Sequence, residues 1–337
     1  MPGQLITLDT VIGRRRLLPL DSRSPFDPRD FRFVPTVERL DPNAHYDLCA
    51  LGLMPPIRDQ GEEGSCAGHS SSEYLGHLFR KLGLPLIFSP AFMYYLGRLI
   101  EGWQNQDSGA YLRDEFSVLK KNGCCLEQFM PYIAGQFATP PPAAALADAL
   151  THLIDSYAAV AMTDLDAALA QNTAVAVGSY WYNEWFNGGD PQYHILPDST
   201  TQAVGAHAWL ICGAQTSLNV NTGKVERLYR HHGSWGLGFG DGTGHVWMPA
   251  HIVQTQVYEF WTAMKAALGN QALALTFTTS TGSLASGDYT PITLPPPTPP
   301  TPPPPTPSLL ADLEAEFTVF AQLLAKAGSN LSILVES

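Results

Sequence analysis

The sequence predicts an α+β fold built as two lobes, one helical and one β-rich, with a ligand cleft between them. Three observations lead there. Apolar residues recur at helical spacing through much of residues 44–160. Short runs rich in β-branched and aromatic residues, parted by Gly, Asn and Pro, occupy residues 161–265. A composition of 45% hydrophobic and 10% aromatic residues is ample for a packed core in a chain of 337.

Residues 1–43 are rich in proline and charge and show no sustained period, so they read as an irregular N-terminal extension and a short pro-segment. Their Arg14-Arg15-Arg16 cluster reads as a solvated face. From Cys66 to Leu82 the apolar residues Ala67, Tyr74, Leu75, Leu78, Phe79 and Leu82 keep helical spacing, with Ser65 as N-cap and Gly83 as stop. Further helices are expected over 90–100, 110–121, 142–157 and 164–171. The strands expected next are TAVAVGSY, HAWLICGAQ, VERLYRH, GHVWMP and VYEFW. Residues 266–292 read as irregular or weakly β. The run TLPPPTPPTPPPPTP at 293–307 reads as a stiff polyproline linker. Beyond it, Leu310, Leu313, Phe317, Phe320 and Leu324 make an apolar seam on a C-terminal amphipathic helix over 308–337, which docks on the body, oligomerises or binds a protein partner.

Charge and cysteine usage narrow the function classes. Nineteen basic against thirty-one acidic residues give a net charge of -12, which repels phosphate backbones and anionic membranes, so no nucleic-acid partner is expected. No stretch reaches the roughly 20 apolar residues of a membrane span, and the N-terminus has no secretory pattern. Cytoplasmic location is therefore the default expectation, with unconventional export left open. The five cysteines, at 49, 66, 124, 125 and 212, lack paired metal-ligand spacing and read mostly as free thiols.

The segment PPIRDQGEEGSCAGH at 55–69 is the chemical signal. A cysteine at the first turn of a helix has its thiolate stabilised by unsatisfied N–H groups and the macrodipole, which makes Cys66 a candidate nucleophile. It needs an imidazole within proton-transfer reach and donors for the oxyanion formed at an attacked carbonyl; Gln60 and the backbone N–H of Cys66 are the candidate donors. Among ten histidines, His207 opens a predicted buried strand facing the cleft and is the preferred base. His231 and His232 are second choices. His69 and His77 read as surface or interface residues on the Cys66 helix, and His45, His152, His194, His245 and His251 carry no assigned role.

PPIRDQGEEGSCAGH resembles the nucleophile segment of papain-like cysteine peptidases, GAHAWLICGAQ is similar to their histidine strand, and GSWGLGFGDGTGHVWM to their Asn-Ser-Trp-Gly block. His207 follows Cys66 at about 140 positions, inside the interval of roughly 130–150 that marks the family. FSPAFMYYLGR and GAYLRDEFSVLKKNGCCLEQFMPY look like family helices and a Tyr-bearing turn, so the resemblance spans about residues 44–262. It implies a papain-like two-lobed fold over 44–265 (helical lobe to about 160, β-barrel-like lobe from 161). It also implies a cysteine peptidase acting through a thiolate–imidazolium pair and an acyl-enzyme. Cys66 would be the nucleophile, His207 the acid/base partner and Gln60 the oxyanion donor. Trp235, Gly109, Gly64 and Ser65 would form the substrate-binding rim. Peptides or proteins would be the substrates, with no metal or organic cofactor called for.

Three positions depart from the family pattern. Gly233 stands where the family has the asparagine that orients the imidazole, Glu63 stands at a family disulfide cysteine, and Ala67 replaces an aromatic residue. A weak or inactive papain-fold binding protein is the alternative reading. A lesser one takes GSCAG as the Gly-x-Cys-x-Gly elbow of an α/β-hydrolase or glutamine amidotransferase, but PPIRDQGEE ahead of it is not the apolar strand that motif needs.

Overall fold

The computed structural model describes residues 5–10, 13–36, 41, 43–264 and 276–279. At its centre helix α1, Cys66–Lys81, is buried along nearly its whole length, from Cys66 to Phe79. Its end follows from Gly83, whose φ of +80° is the left-handed turn that lets the N–H groups of Gly83 and Leu84 cap Arg80 O and Phe79 O. Helix α2, Pro90–Ile100, starts at Ser89, whose hydroxyl accepts the N–H of Phe92, with Pro90 where no donor is needed. The two helices cross closely at Gly68: a Cβ there would lie 2.8 Å from Tyr94 Cβ and 2.9 Å from Pro90 O. Helix α3, Leu112–Lys121, and the short α4, Ala143–Ala149, complete the helical side.

The β side is one mixed sheet in the order β11-β3-β5-β10-β6-β7-β8-β9, with β4 pairing β7 outside that path. Its strands are β3 (Phe31–Val34), β4 (Tyr46–Asp47), β5 (Ser156–Ala159), β6 (Val175–Trp181), β7 (Gly205–Asn219), β8 (Lys224–His232), β9 (His245–Pro249), β10 (Val257–Met264) and β11 (Thr276–Thr279); helices α5 (Leu165–Ala170) and α6 (Ala250–Gln256) interrupt them. All pairings are antiparallel except β3 with β5. β7 is buried from Gly205 to Ala214 and lies against α1. The Tyr74 hydroxyl of α1 contacts Thr262 Oγ1 at 2.7 Å and accepts the N–H of Ala263 at 2.8 Å, so helix and sheet are hydrogen-bonded as well as packed. This is the two-lobed α+β arrangement expected from the sequence.

The structure corrects three local expectations. The helix expected over 142–157 ends at Ala149, because Ser156–Ala159 are taken up as a strand paired with β10; tertiary pairing overrides the helical propensity of the alanine-rich run. Residues 1–43 are not irregular throughout: β1, Ile6–Thr10, and β2, Gly13–Leu17, form an antiparallel hairpin with Ile6 opposite Leu17. Nor is the arginine cluster a solvated face throughout, although Arg14 is exposed. Arg15 is buried and reaches Asp59 and the carbonyl of Trp235, while Arg16 pairs with Asp107. The expected linker and C-terminal helix lie outside the described residues.

Among the described residues no helix is long and apolar enough to cross a membrane.

Candidate active site

Cys66 is the first residue of α1, and the first turn carries no acidic side chain to oppose a thiolate. Main-chain N–H groups of Ala208, Ala67 and Cys66 favour its thiolate, but complete burial outweighs them and pushes the thiol up to about 12. Ala208 directly follows His207 on β7, so one of those N–H groups belongs to the residue next to the imidazole. His207 sits opposite Ser179 on β6, with its ring in an aromatic box formed by Trp181 at 5.3 Å, Trp209 at 5.9 Å and Trp235 at 4.6 Å between centroids. Burial, and then the nearby Arg15, hold it down at about 3. Its Nδ1 is buried with no hydrogen-bond partner. In this covered state both groups are neutral.

Gln60 is fully buried and orients its amide through both ends: Nε2 donates to Glu63 O at 2.7 Å and Oε1 accepts from Ser234 Oγ at 2.6 Å. One N–H of that amide remains for an oxyanion. Ser234 also accepts the Gln60 N–H on its carbonyl, so the glutamine segment and the Gly-Ser-Trp block are joined across the lobes. Trp235 stacks on Phe186 at 5.6 Å and covers the His207 ring. Ser65 does not cap α1 with its side chain, contrary to expectation; its hydroxyl meets that of Tyr132 at 2.7 Å. A long-range contact thus takes up the hydroxyl that the local pattern assigns to the helix end.

The N-terminal hairpin covers this site. Leu18 makes a two-way main-chain bridge with Ala206, the residue before His207, at 2.8 and 2.9 Å. Its side chain occupies the place a Cβ on Gly109 would take, and Gly109 has a φ of +79°. Leu5 stands in the same relation to Gly64, 2.5 Å from a Cβ there. Gly64 and Gly109 are thus brought together as a rim, and residues 5–18 lie against it. The hairpin has little signal in the sequence because its apolar contacts, Leu5, Leu17 and Leu18, flank a charged Arg14-Arg15-Arg16 run and are matched by no sustained period.

Other expectations need revision. His69 and His77 are fully buried, not surface residues: His69 Nδ1 faces Ser65 O at 3.1 Å with its ring edge on Tyr132, and His77 links Leu53 O at 3.0 Å to the N–H of Ala174 at 3.1 Å. Burial brings both down to about 3. Glu63, at the family's cysteine position, is buried and accepts the N–H of Gly135, and desolvation raises it to about 7. At Gly233 a Cβ would meet nothing nearer than Gly244 O at 3.7 Å, so the missing asparagine is not a consequence of lost space.

A thiol–imidazole contact elsewhere in the fold had no signal in the sequence. Cys49 Sγ lies 3.3 Å from His245 Nε2, across 196 positions, and His232 Nδ1 lies 3.1 Å from that same nitrogen. The Cys212 thiol, 3.6 Å from Cys49 Sγ, is the main reason the Cys49 thiol falls to about 2. Burial lowers His232, yet contacts with Cys49 and Glu73 outweigh it and hold the imidazole up at about 9.

No family model matches the chain. A relative in Acanthamoeba polyphaga mimivirus, an uncharacterized peptidase C1-like protein, is 26% identical over 235 residues, 64% of this chain and 73% of that one. Among solved structures, xylellain, a cysteine protease from Xylella fastidiosa, aligns with a TM-score of 0.63 and 29% identity over 72% of this chain and 94% of its own. Digestive procathepsin L 3 of the Tenebrio molitor larval midgut aligns at 0.54 and 17% identity, covering 71% and 76%, and speaks for the fold alone.

Proposed function

We infer that this chain, which belongs to the papain-like cysteine peptidase family, hydrolyses peptide bonds with Cys66 as nucleophile and His207 as acid/base partner. The carrying observation is the packing of α1, which begins at Cys66, against β7, which holds His207. Once the cleft is open and wet, the desolvation that keeps both groups neutral is relieved, and the thiol proton passes to the imidazole. The sulfur then bonds to the substrate carbonyl carbon, and the oxyanion takes the free Gln60 N–H and the Cys66 N–H. His207 gives its proton to the amide nitrogen as the C–N bond breaks. Water, deprotonated by His207, next releases the acyl group and restores the thiol.

Residues 5–18 act as the pro-segment of this site. Support comes from the Leu18–Ala206 bridge, from Leu5 and Leu18 against Gly64 and Gly109, and from the ion pairs of Arg15 and Arg16. The family's orienting asparagine is absent, and the box of Trp181, Trp209 and Trp235 restrains the ring in its place.

A second reading is favoured by the 3.3 Å contact of Cys49 with His245, which has the geometry of a catalytic dyad. Its weakness is the oxyanion: the N–H groups of Cys49 and Ala50 both already donate to Asp47 Oδ1. Labelling with an epoxysuccinyl peptide separates the two. Modification of Cys66, lost in Cys66→Ala and kept in Cys49→Ser, is expected; labelling that follows Cys49 instead would transfer the reaction to the second pair.

A further inference from the structure

The side chains around Cys49 come from four separate places: the turn after β4, the bulge of β7 at Cys212, the last residue of β8 and the first of β9. We propose that Cys49, His232 and His245 bind a single zinc(II) ion. The separations fit. Cys49 Sγ to His245 Nε2 is 3.3 Å and His232 Nδ1 to His245 Nε2 is 3.1 Å. Around tetrahedral zinc the ordinary bond lengths put sulfur and nitrogen about 3.6 Å apart and two nitrogens about 3.3 Å. One ligand atom each from Cys49, His232 and His245 lies within 4.8 Å of the others.

The outer contacts select the tautomers that coordination needs. Thr243 Oγ1 donates to Asp241 Oδ1 at 2.5 Å, so it accepts the Nδ1–H of His245 at 2.9 Å and leaves a lone pair on Nε2. His232 Nε2 faces Glu73 Oε2 at 3.4 Å. Both residues are buried, and His232 Nε2 and Glu73 Oε1 have no hydrogen-bond partner. When a metal ion displaces the proton from Nδ1 and the other stays on that side, His232 also points a lone pair inward. Two lone pairs 3.1 Å apart repel unless a proton or a metal ion lies between them, and the Cys49 thiol beside them favours the metal. The carboxylate behind His232 is the partner that a metal-bound imidazole ordinarily has. On binding, the ion displaces the His232 Nδ1 proton to solvent, and the Cys49 thiolate offsets part of its charge. The site ties the turn after β4 to the far strands of the sheet and assigns Cys49 to structure, whichever thiol hydrolyses peptides.

The test is metal binding by the full chain, reduced and stripped with a chelator. Cobalt(II) titration should give a thiolate-to-cobalt charge-transfer band that saturates at one ion per chain. Zinc should displace it, and elemental analysis should find one zinc. Cys49→Ser and His245→Ala should lose the band, and Glu73→Gln should weaken binding ~10–100-fold. Cys66→Ala should bind as the parent does while losing hydrolysis, so a failure of the peptidase assignment is read separately. Absence of the charge-transfer band from the reduced parent chain would overturn the proposal, whether or not any variant folds. So would binding unchanged in Cys49→Ser, or a Cys49–Cys212 disulfide in a chain that takes up no metal after reduction.

Discussion

The two regions that hold a cysteine and a histidine of chemical interest, Cys66 with His207 and Cys49 with His232 and His245, differ in what surrounds them. Cys66 and His207 are enclosed by a helix, a strand, tryptophans and the N-terminal hairpin, and burial dominates: the thiol stands near 12 and the imidazole near 3. Cys49 and His232 are also enclosed, but by groups that complement charge, so the thiol falls to about 2 and the imidazole rises to about 9. The same residue pair is therefore held neutral in one region and charged in the other. A site that must react benefits from being switched on by solvent; a site that holds an ion or a fixed charge is wired in advance.

The largest test of that contrast removes each thiol in turn. Cys66→Ala should lower kcat/KM on a fluorogenic peptide by about 10⁴-fold or more, the scale of losing a nucleophile. Cys49→Ser should leave it within a few-fold at a temperature where the chain is folded. The reverse order would exchange the roles of the two regions.

Uncovering the Cys66 region is the next test. Leu18 is 3% exposed, and burial of a leucine side chain contributes about 2 kcal/mol, so Leu18→Gly should raise initial activity roughly 30-fold. Arg15→Ala removes a pair whose aspartate is half exposed and should give about 5-fold. Unchanged or reduced initial rates in both variants would show that the hairpin does not inhibit. Gly233→Asn has room and should raise kcat about 10-fold with little change in KM, by holding the imidazole in line. A change confined to KM would deny the orienting role.

The smallest effect is on stability against pH. His69, His77, His207 and His231 stand at about 3 rather than 6.5, with burial as the leading cause. Between those values the unfolded chain binds protons that the folded one refuses, so their contribution is complete above pH 6.5 and is lost as pH falls. Burial raises Glu63 to about 7 and Glu115 to about 8, so the folded chain binds the extra protons there and stability declines as pH rises from 4.5 through those values. Below pH 6.5 the four histidines outweigh the two carboxyls, so melting temperature measured from pH 3 to 9 should peak near pH 6.5. A steady rise to pH 9 would mean that Glu63 and Glu115 are not held neutral.

The legible parts of this molecule are those whose signal is local. Helix α1 can be read from Ala67, Tyr74, Leu75, Leu78 and Phe79, all of them buried, and β7 from a run buried without interruption to Ala214. The order Cys66, His207, Gly-Ser-Trp carries the peptidase reading because those residue types lie within recognisable segments. His69 and His77 are illegible as core residues because helix position alone does not say which neighbours arrive from elsewhere; Tyr132 and Leu53 do that here. The strand at Ser156–Ala159 is hidden by alanines that suit a helix until β10 offers hydrogen bonds.

By itself, the sequence determined the setting of Cys66 at the start of α1, the order of the helical and β-rich parts, and the class of chemistry, since each depends on residues close together in the chain or on spacing within one motif. Tertiary structure alone decided that Leu5, Arg15 and Leu18 cover the cleft, and that Cys49, Cys212, His232 and His245 meet. Those contacts join segments that no periodicity links, and only the closing of the sheet around α1 brings their donors, acceptors and charges into range.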